Sequence, residues 1–237
     1  MNDGGGSTHL LDVAAVHAVA TLEDQTRRSI YAHVAAAARP VTRVHVAHAV
    51  GVSRKLAAFH LDKLVSAGLL VAGTDSTQTA GTRGRRPKVY QRSSTDLAVT
   101  LPPRRPADLA EMLVAAVNTA PPEATARGAA MRVAEQRGRE LGASTRPQAR
   151  RGRLGAERAL TLGESVLRER GFEPARETPT SLRLRNCPYR DVAADAPEIV
   201  CNMNQHFLAG FLAGLGADNV HAHLAPREGE CCVELLA

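Results

Sequence analysis

Apolar residues at helical spacing mark the first interpretable segment of the chain. Leu22, Ile30 and Val34 recur at intervals that bring them to one face of a helix, and the pattern stops at Pro40. We therefore predict an amphipathic helix over residues 22–38.

Two shorter helices follow, each with a capping residue at its start and a glycine at its end. Thr42 can cap the first of them, and Gly51 then provides the tight turn that two crossed helices require. Ser53 can cap the second, which Gly68 ends. This order predicts a helix-turn-helix.

The third predicted helix has one apolar face and one face suited to contact with DNA. Leu56, Leu61 and Leu64 are expected in the core. A helix that enters the major groove needs short or basic side chains in its leading turns, so that they reach base edges and phosphates. The outward residues that we predict to bind DNA are Ser53, Arg54, Lys55, Ala58 and Phe59.

A hairpin is predicted after the third helix. Alternation and turn residues indicate a strand over residues 69–71, a polar tip from Gly73 to Gly84 and a return strand over residues 88–91. Its positive side chains can pair with phosphate or enter a narrow minor groove, and they are Arg83, Arg85, Arg86 and Lys88. Three helices and a basic hairpin predict a winged helix-turn-helix domain over residues 22–92, after an N-terminal segment of residues 1–21.

Residues 22–92 resemble the ArsR-type winged-helix regulators. The matching motifs are Gly51-Val-Ser53, His60-Leu61-Asp-Lys-Leu64, Ala67-Gly68-Leu69 and Gly84-Arg-Arg-Pro-Lys-Val-Tyr90. The resemblance implies a transcription regulator that binds a double-stranded DNA operator. Metal-binding members of that family often carry cysteines in the recognition region. This chain has none there, so arsenic- or cadmium-type sensing at that position is not expected.

The middle of the chain, residues 93–155, is predicted to be a linker followed by a helical dimerisation region. Prolines concentrate in the linker between residues 102 and 106. Helices are expected over residues 108–117 and 121–141, followed by a loop over residues 142–155. Winged-helix regulators usually read two half-sites as symmetric dimers, so these helices are expected to form the seam of a homodimer.

The last part of the chain, residues 156–237, is predicted to fold as a helix followed by a small ββαββ module. The whole chain is therefore expected to be an α+β protein. The expected elements are a helix over residues 157–170, strands over 172–178 and 181–186, a helix that opens at Pro197 and ends at Gly214-Leu-Gly216, and strands over 220–224 and 231–236.

All four cysteines lie in the last 51 residues, at Cys187, Cys201, Cys231 and Cys232. In the predicted module they occupy a strand end, a helix start and a strand start, which can converge on one corner of a small sheet. Neighbouring strand residues point to opposite faces, so only one of Cys231 and Cys232 is expected to join the other two unless the strand is broken there. We favour Cys231, whose neighbours on its face are apolar. A further ligand would come from His206, His221, His223 or a carboxylate.

The cysteine spacing leaves several interpretations open. Thiols in a reducing compartment more often bind metal or carry out redox chemistry than form structural disulfides. The pattern C-x13-C-x29-C-C lacks the paired C-x2-C knuckles of a zinc ribbon, which disfavours zinc. Cysteines that only pack as small apolar residues are the remaining interpretation.

A second resemblance includes these cysteines. A winged helix, then Cys187-Pro-Tyr189, a cysteine about thirteen residues later and another about thirty residues beyond, is similar to the iron–sulfur repressors of the SufR type. It implies a 2Fe-2S or 4Fe-4S cluster held by Cys187, Cys201 and one of Cys231 and Cys232. The dimer would be a repressor that senses redox state, iron or nitric oxide. The alternative is a winged-helix regulator whose C-terminal domain binds zinc or a small molecule.

Charge and motif content narrow the functional class. Residues 1–100 and 101–155 each carry a net charge of +5, whereas residues 156–237 carry −4. This distribution is expected for an N-terminal part that binds a polyanion, joined to a different kind of C-terminal module. No P-loop, dinucleotide-binding glycine motif or nucleophile elbow occurs, so no enzymatic activity is expected. No apolar run approaches the roughly 20 residues of a membrane span, and no secretory signal opens the chain. These features predict a cytoplasmic protein without a membrane partner.

Overall fold

The computed structural model describes residues 13–74, 87–146 and 154–237. The chain divides into two compact units, the first within Leu11–Val99 and the second including Thr100–Ala237. Both units combine helices with an antiparallel sheet, in agreement with the predicted α+β class.

The described residues of the first unit form four helices and a three-stranded antiparallel sheet. The helices are α1 (Val13–Thr21), α2 (Gln25–Ala36), α3 (Arg43–Val50) and α4 (Arg54–Ser66). The strands are β1 (Val41–Thr42), β2 (Leu70–Thr74) and β3 (Lys88–Arg92), in the order β1-β3-β2. α1 and β1 were not predicted from the sequence. α1 is apolar on nearly every side and lacks amphipathic periodicity, and β1 is only two residues long.

Side-chain caps and one glycine set the boundaries of the helical pair α3 and α4. The Thr42 hydroxyl accepts a hydrogen bond from the amide of His45 at 3.3 Å, and the Ser53 hydroxyl accepts one from the amide of Leu56 at 3.1 Å. Gly51 between them has φ +72°, a left-handed conformation that suits glycine. The predicted caps and turn are confirmed.

One core prediction for α4 is wrong. Leu61 and Leu64 are buried as expected, but Leu56 is 41% exposed. The buried face of α4 instead consists of Ala57 and His60 together with the two leucines. These four residues are separated by three or four positions, as expected for one face of a helix. Leu56 precedes Ala57 by one residue, which is about 100° around the helix, so it lies off this face.

The second unit contains five helices and a four-stranded sheet in its described residues. The helices are α5 (Pro106–Thr119), α6 (Ala126–Thr145), α7 (Ala156–Glu169), α8 (Arg190–Asp195) and α9 (Pro197–Leu215). The strands are β4 (Pro174–Thr178), β5 (Ser181–Leu184), β6 (His221–Leu224) and β7 (Val233–Leu236). All pairings are antiparallel, in the order β4-β5-β7-β6.

Several boundaries in the second unit differ from the predictions, and one element was missed. α6 extends to Thr145, so the loop predicted to begin at residue 142 starts later. α6 begins at Ala126 rather than at the two prolines near residue 121, because the hydroxyl of Thr125 caps it by accepting a hydrogen bond from the amide of Gly128 at 3.1 Å. The short helix α8 was not predicted. β7 begins at Val233, so Cys231 and Cys232 lie in a bend before the strand.

α9 packs against α6 with direct contact between the two backbones. Glycines on both helices make this possible: a Cβ atom added to any of them would lie 1.9–2.1 Å from a carbonyl oxygen of the other helix. These residues are Gly138, Gly142, Gly210 and Gly214. Only a residue without a side chain fits at these four positions, so α6 fixes the position of α9.

α9 carries the largest set of buried residues of any described helix, and these include Val200, Met203, Phe207, Leu208 and Phe211. The face is interrupted by one buried polar residue, Asn204. None of the helices in the described ranges combines the length and apolar character that a membrane crossing requires.

Candidate functional site

The leading turns of α4 present a mixed basic and apolar surface. Arg54 and Lys55 are exposed directly after the capping residue Ser53, and Phe59 is 53% exposed one turn later. Ala58 is half-buried between them. Four of the five predicted DNA-contacting residues of this helix are therefore open to solvent. Exposed Leu56, which the sequence prediction placed in the core, extends the same surface.

Lys88 lies in the described part of the hairpin, and its ammonium is already paired. Its Nζ lies 2.9 Å from Oδ1 of Asp62 on α4 and 5.2 Å from the centre of the Tyr90 ring. The hydrogen bond to Asp62 raises the pKa of Lys88. Both partners are more than half exposed, so the pair contributes little to stability. Lys88 therefore joins β3 to α4 as well as carrying a positive charge.

The other three predicted hairpin residues, Arg83, Arg85 and Arg86, lie outside the described residues. A basic residue that the sequence prediction missed lies near Lys88: Arg43, the first residue of α3, lines the same groove of about 910 Å³. The sequence signal that could have identified it is an arginine directly after the capping residue Thr42, at the start of α3.

The four cysteines come from three separate segments of the second unit. Cys187 follows β5 and is buried, and Cys201 lies at the second turn of α9 and is half-buried. Cys231 is fully buried, whereas its neighbour Cys232 is half-buried. All four are free thiols.

The structure brings all four thiols together. The side chain of Cys187 interacts with that of Cys231, Cys231 with Cys232, and Cys232 with Cys201. The expectation that Cys231 and Cys232 point to opposite faces applies to an unbroken strand, and these two residues precede β7. The sulfur atoms thus form one continuous row.

The surroundings of the thiols favour their protonated form. The hydrogen bond to Cys231, together with burial, holds the pKa of Cys187 well above its usual range. Burial raises the pKa of Cys201, opposed in part by its interaction with Cys232. At Cys231 the interaction with Cys187 lowers the pKa, but the interaction with Cys232 and burial outweigh it and raise the pKa to about 12. These three thiols therefore stay neutral near pH 7 unless a positive group replaces their protons.

Two arginines hold the loop that carries Cys231 and Cys232. Arg183 on β5 is only 1% exposed, and its guanidinium pairs with Glu230 at 2.9 Å and Glu234 at 2.6 Å. Arg190 at the start of α8 donates to the carbonyl oxygen of Gly229. Strand alternation would place Arg183 on the face opposite the leucines, but the two glutamates on either side of the cysteine pair allow it to be buried.

A buried asparagine also contacts the thiols. Nδ2 of Asn204 donates to Sγ of Cys231 at 3.2 Å, and the side chain is 1% exposed. Asn204 follows Cys201 by three residues, so both lie on the same side of α9. The sequence prediction missed it, although a polar residue between Met203 and Phe207 interrupts an otherwise apolar face.

The histidines proposed as further ligands lie elsewhere. His206 faces Glu135 of α6, with Nδ1 3.6 Å from Oε2, and His221 and His223 are exposed on β6. Within the described residues, no three His, Cys, Asp or Glu side chains are arranged to hold a metal ion as they stand. A metal bound by these thiols would have to replace their protons.

No protein-family model matches this chain, and no curated protein matches it significantly.

Proposed function

We propose that this protein is a dimeric DNA-binding transcription regulator, a repressor whose second unit holds an iron–sulfur cluster on its cysteines. The observation that carries the proposal is the row of four thiols, contributed by three segments that are far apart in sequence. Four converging free thiols are a donor set typical of metal binding.

The donor set fits an iron–sulfur cluster. Cys187, Cys201, Cys231 and Cys232 would hold it, and a bound cluster would supply one-electron redox chemistry and sensitivity to oxidants or nitric oxide. The hydrogen bond with Cys231 and burial raise the pKa of Cys187, and burial raises the pKa of Cys201, so uptake of a cluster replaces protons and makes binding dependent on pH. The ion pairs of Arg183 beside the loop before β7 keep two of the four sulfurs in place for this exchange.

The first unit supports binding to duplex DNA as a winged helix. α3 and α4 are joined by the left-handed turn at Gly51, and β2 and β3 follow as an antiparallel pair. Arg54 and Lys55 lie at the start of α4, where the amino-terminal residues of a recognition helix reach base edges and phosphates. Exposed Phe59 offers an apolar contact for a thymine methyl group.

Dimerisation is supported by an exposed apolar strip on α5. Leu113 is 38% exposed, Val114 60% and Val117 78%, whereas Leu109 and Met112 are buried. This strip lies in the segment, residues 93–155, that was predicted from the sequence to form the dimer interface. A symmetric dimer would cover it and present two copies of α4 to the two half-sites of an operator.

In this proposal the dimer has two conformations, and both DNA and the cluster change how much of each is present. This shift in population couples DNA binding to cluster binding. The cluster changes operator affinity only as far as it binds the two states with different affinity, and the coupling is reciprocal. Operator DNA should therefore change cluster affinity by the same factor.

Anaerobic purification tests the proposal directly. A brown protein that contains iron and acid-labile sulfide, and that selects a two-fold symmetric site from a random duplex library, is the expected result. Loss of the cluster in air should change the affinity for the selected duplex. A colourless protein without iron would refute the cluster, and failure to select any duplex would refute the DNA-binding role.

A cavity in the second unit favours a second candidate, a regulator that binds a small molecule. This cavity of about 320 Å³ has Met112 and Phe207 among its apolar residues and Asp108 and Arg170 among its charged ones. Tyr189, two residues after Cys187, also lines it. A colourless protein whose melting temperature rises with small zwitterionic metabolites, or one that contains stoichiometric zinc, would favour this alternative.

A further inference from the structure

Asn204 is a polar exception on a buried face. Its side chain is 1% exposed, and the neighbouring inward residues of α9, Val200, Met203, Phe207 and Leu208, are all apolar. An apolar residue at position 204 would continue the pattern of the helix. The presence of an amide there therefore requires an explanation.

The nitrogen and the oxygen of this side-chain amide differ in their hydrogen bonding. Nδ2 donates to Sγ of Cys231 at 3.2 Å, whereas Oδ1 is buried without a hydrogen-bond partner among the described residues. A buried polar atom without a partner costs stability. The hydrogen bond that Asn204 gains from its position is therefore the one with a cysteine sulfur.

Asn186 shows how a buried asparagine with a structural role behaves in the same unit. Its Nδ2 donates to the carbonyl oxygens of Gly171 at 2.6 Å and Pro103 at 3.1 Å, and its Oδ1 accepts from Arg104 at 2.7 Å. Both ends are satisfied, and the residue ties three segments together. Asn204 instead makes one side-chain hydrogen bond within the described part of the chain, to a sulfur, and leaves its oxygen without a partner, so its role differs from that of Asn186.

We infer that Asn204 is a positioning residue that donates a hydrogen bond to the Cys231 sulfur when that sulfur is a cluster ligand, and thereby raises the reduction potential of the cluster. The inference rests on the proposed function. A thiolate accepts a hydrogen bond more strongly than a neutral thiol, because it carries the charge. Hydrogen bonds to ligand sulfurs favour the reduced, more negative state of a cluster.

Asn204→Leu tests this role because leucine has a similar size and no donor. We expect the cluster of this variant to have a more negative potential. A tenfold decrease in the preference for the reduced state corresponds to about 59 mV for one electron. Asn204→Met, which is also apolar and lacks a donor, should shift the potential in the same direction. Asn202→Leu is the matched control, since Nδ2 of Asn202 donates to the backbone oxygen of Glu198 in its own helix.

The melting temperature of the metal-free protein separates this role from a structural one. We expect Asn204→Leu to melt no lower than the wild type without metal, because the substitution removes an unpaired buried oxygen. A lower melting temperature together with an unchanged potential would overturn the inference in favour of a structural role. If the wild type takes up iron and sulfide and both variants keep its potential, the inference alone fails. If the wild type takes up neither, the proposed function fails with it.

Discussion

A Cβ atom on Gly138 would lie 1.9 Å from the carbonyl oxygen of Phe207. The relationship is reciprocal, since a Cβ atom on Gly210 would lie 2.0 Å from the carbonyl oxygen of Glu135. The backbones of α6 and α9 thus touch without intervening side chains. The helix that carries Cys201 and Asn204 takes its position from this contact.

Gly138→Ala should therefore destabilise the protein despite alanine's better helix propensity. The added methyl group meets backbone atoms, which cannot move aside as a side chain can, and overpacking of this kind costs about 1–3 kcal/mol. Gly163→Ala is the control: its Cβ would make an ordinary 3.5 Å contact with the Phe211 ring, so the substitution should be neutral or stabilise by up to about 1 kcal/mol. Urea unfolding of both variants measures the difference. Equal effects would contradict the close approach.

Replacement of Arg54 and Lys55 by alanine should abolish specific binding to the selected duplex. Both side chains are exposed at the start of α4, and removal of a base-reading side chain costs about 1–3 kcal/mol. Metal content should stay unchanged. Removal of Arg132 and Arg158, two exposed arginines of the second unit, is the charge-matched control. If both double variants bind the duplex equally weakly, α4 has no special role.

Alanine at Arg83, Arg85 and Arg86 should weaken binding to most sequences alike and make the salt dependence shallower, by roughly one unit of slope for each phosphate that is no longer neutralised. Lys88→Ala should have a smaller effect, because Asp62 already pairs with the Lys88 ammonium. Asp62→Ala releases that charge and should strengthen binding. Fluorescence anisotropy across a salt series measures the slopes, and an unchanged slope in the arginine variant would exclude phosphate binding by the hairpin.

Serine at any one of Cys187, Cys201, Cys231 and Cys232 should reduce the iron and sulfide content of protein purified without air. The row of thiols includes both members of the consecutive pair, so substitution of either should weaken the cluster. The affinity for the selected duplex should change together with cluster loss. Four variants with wild-type metal content and DNA affinity would show that the cysteines serve only in packing.

Arg183→Met should destabilise the second unit by about 3–5 kcal/mol, because it leaves Glu230 and Glu234 without their shared buried partner. Arg227→Met removes the exposed pair with Glu177, in which the arginine side chain is 52% exposed, and should change the free energy of unfolding by less than about 1 kcal/mol. Thermal and urea unfolding compare the two. A small effect at Arg183 would mean that the glutamates find other partners.

Local signals in the sequence predicted the turn between α3 and α4 and the caps on either side of it. Thr42, Gly51 and Ser53 act through hydrogen bonds and backbone conformation within a few residues, so their effect can be read without knowledge of the fold. The same holds for Gly216, which ends α9 in a left-handed conformation. The positions of the cysteines along the chain likewise indicated that three segments converge.

Features that depend on distant residues were not predictable in this way. Arg183 is buried because two glutamates pair with it from a segment about fifty residues further along the chain, and strand alternation alone cannot indicate such a partner. The bend at Cys231 depends on a hydrogen bond from its amide to the Leu184 oxygen of another strand. Leu56 is exposed because the burial of α4 is set by the helices that pack on it. In each case tertiary contacts outweigh the local pattern.

The close contact between the glycines of α6 and α9 also determines which parts of the second unit move when the cysteines change their chemical state. Two helices whose main chains touch cannot slide past one another or rotate separately, because every carbonyl in the seam blocks the next glycine. A shift of α9 at Cys201 must therefore displace α6 as one rigid body. α5 packs on α6 and carries the exposed strip of Leu113, Val114 and Val117. Because no side chains separate α6 from α9, a small movement of a cysteine sulfur would be passed on to α5. That helix carries the surface where a second subunit would bind.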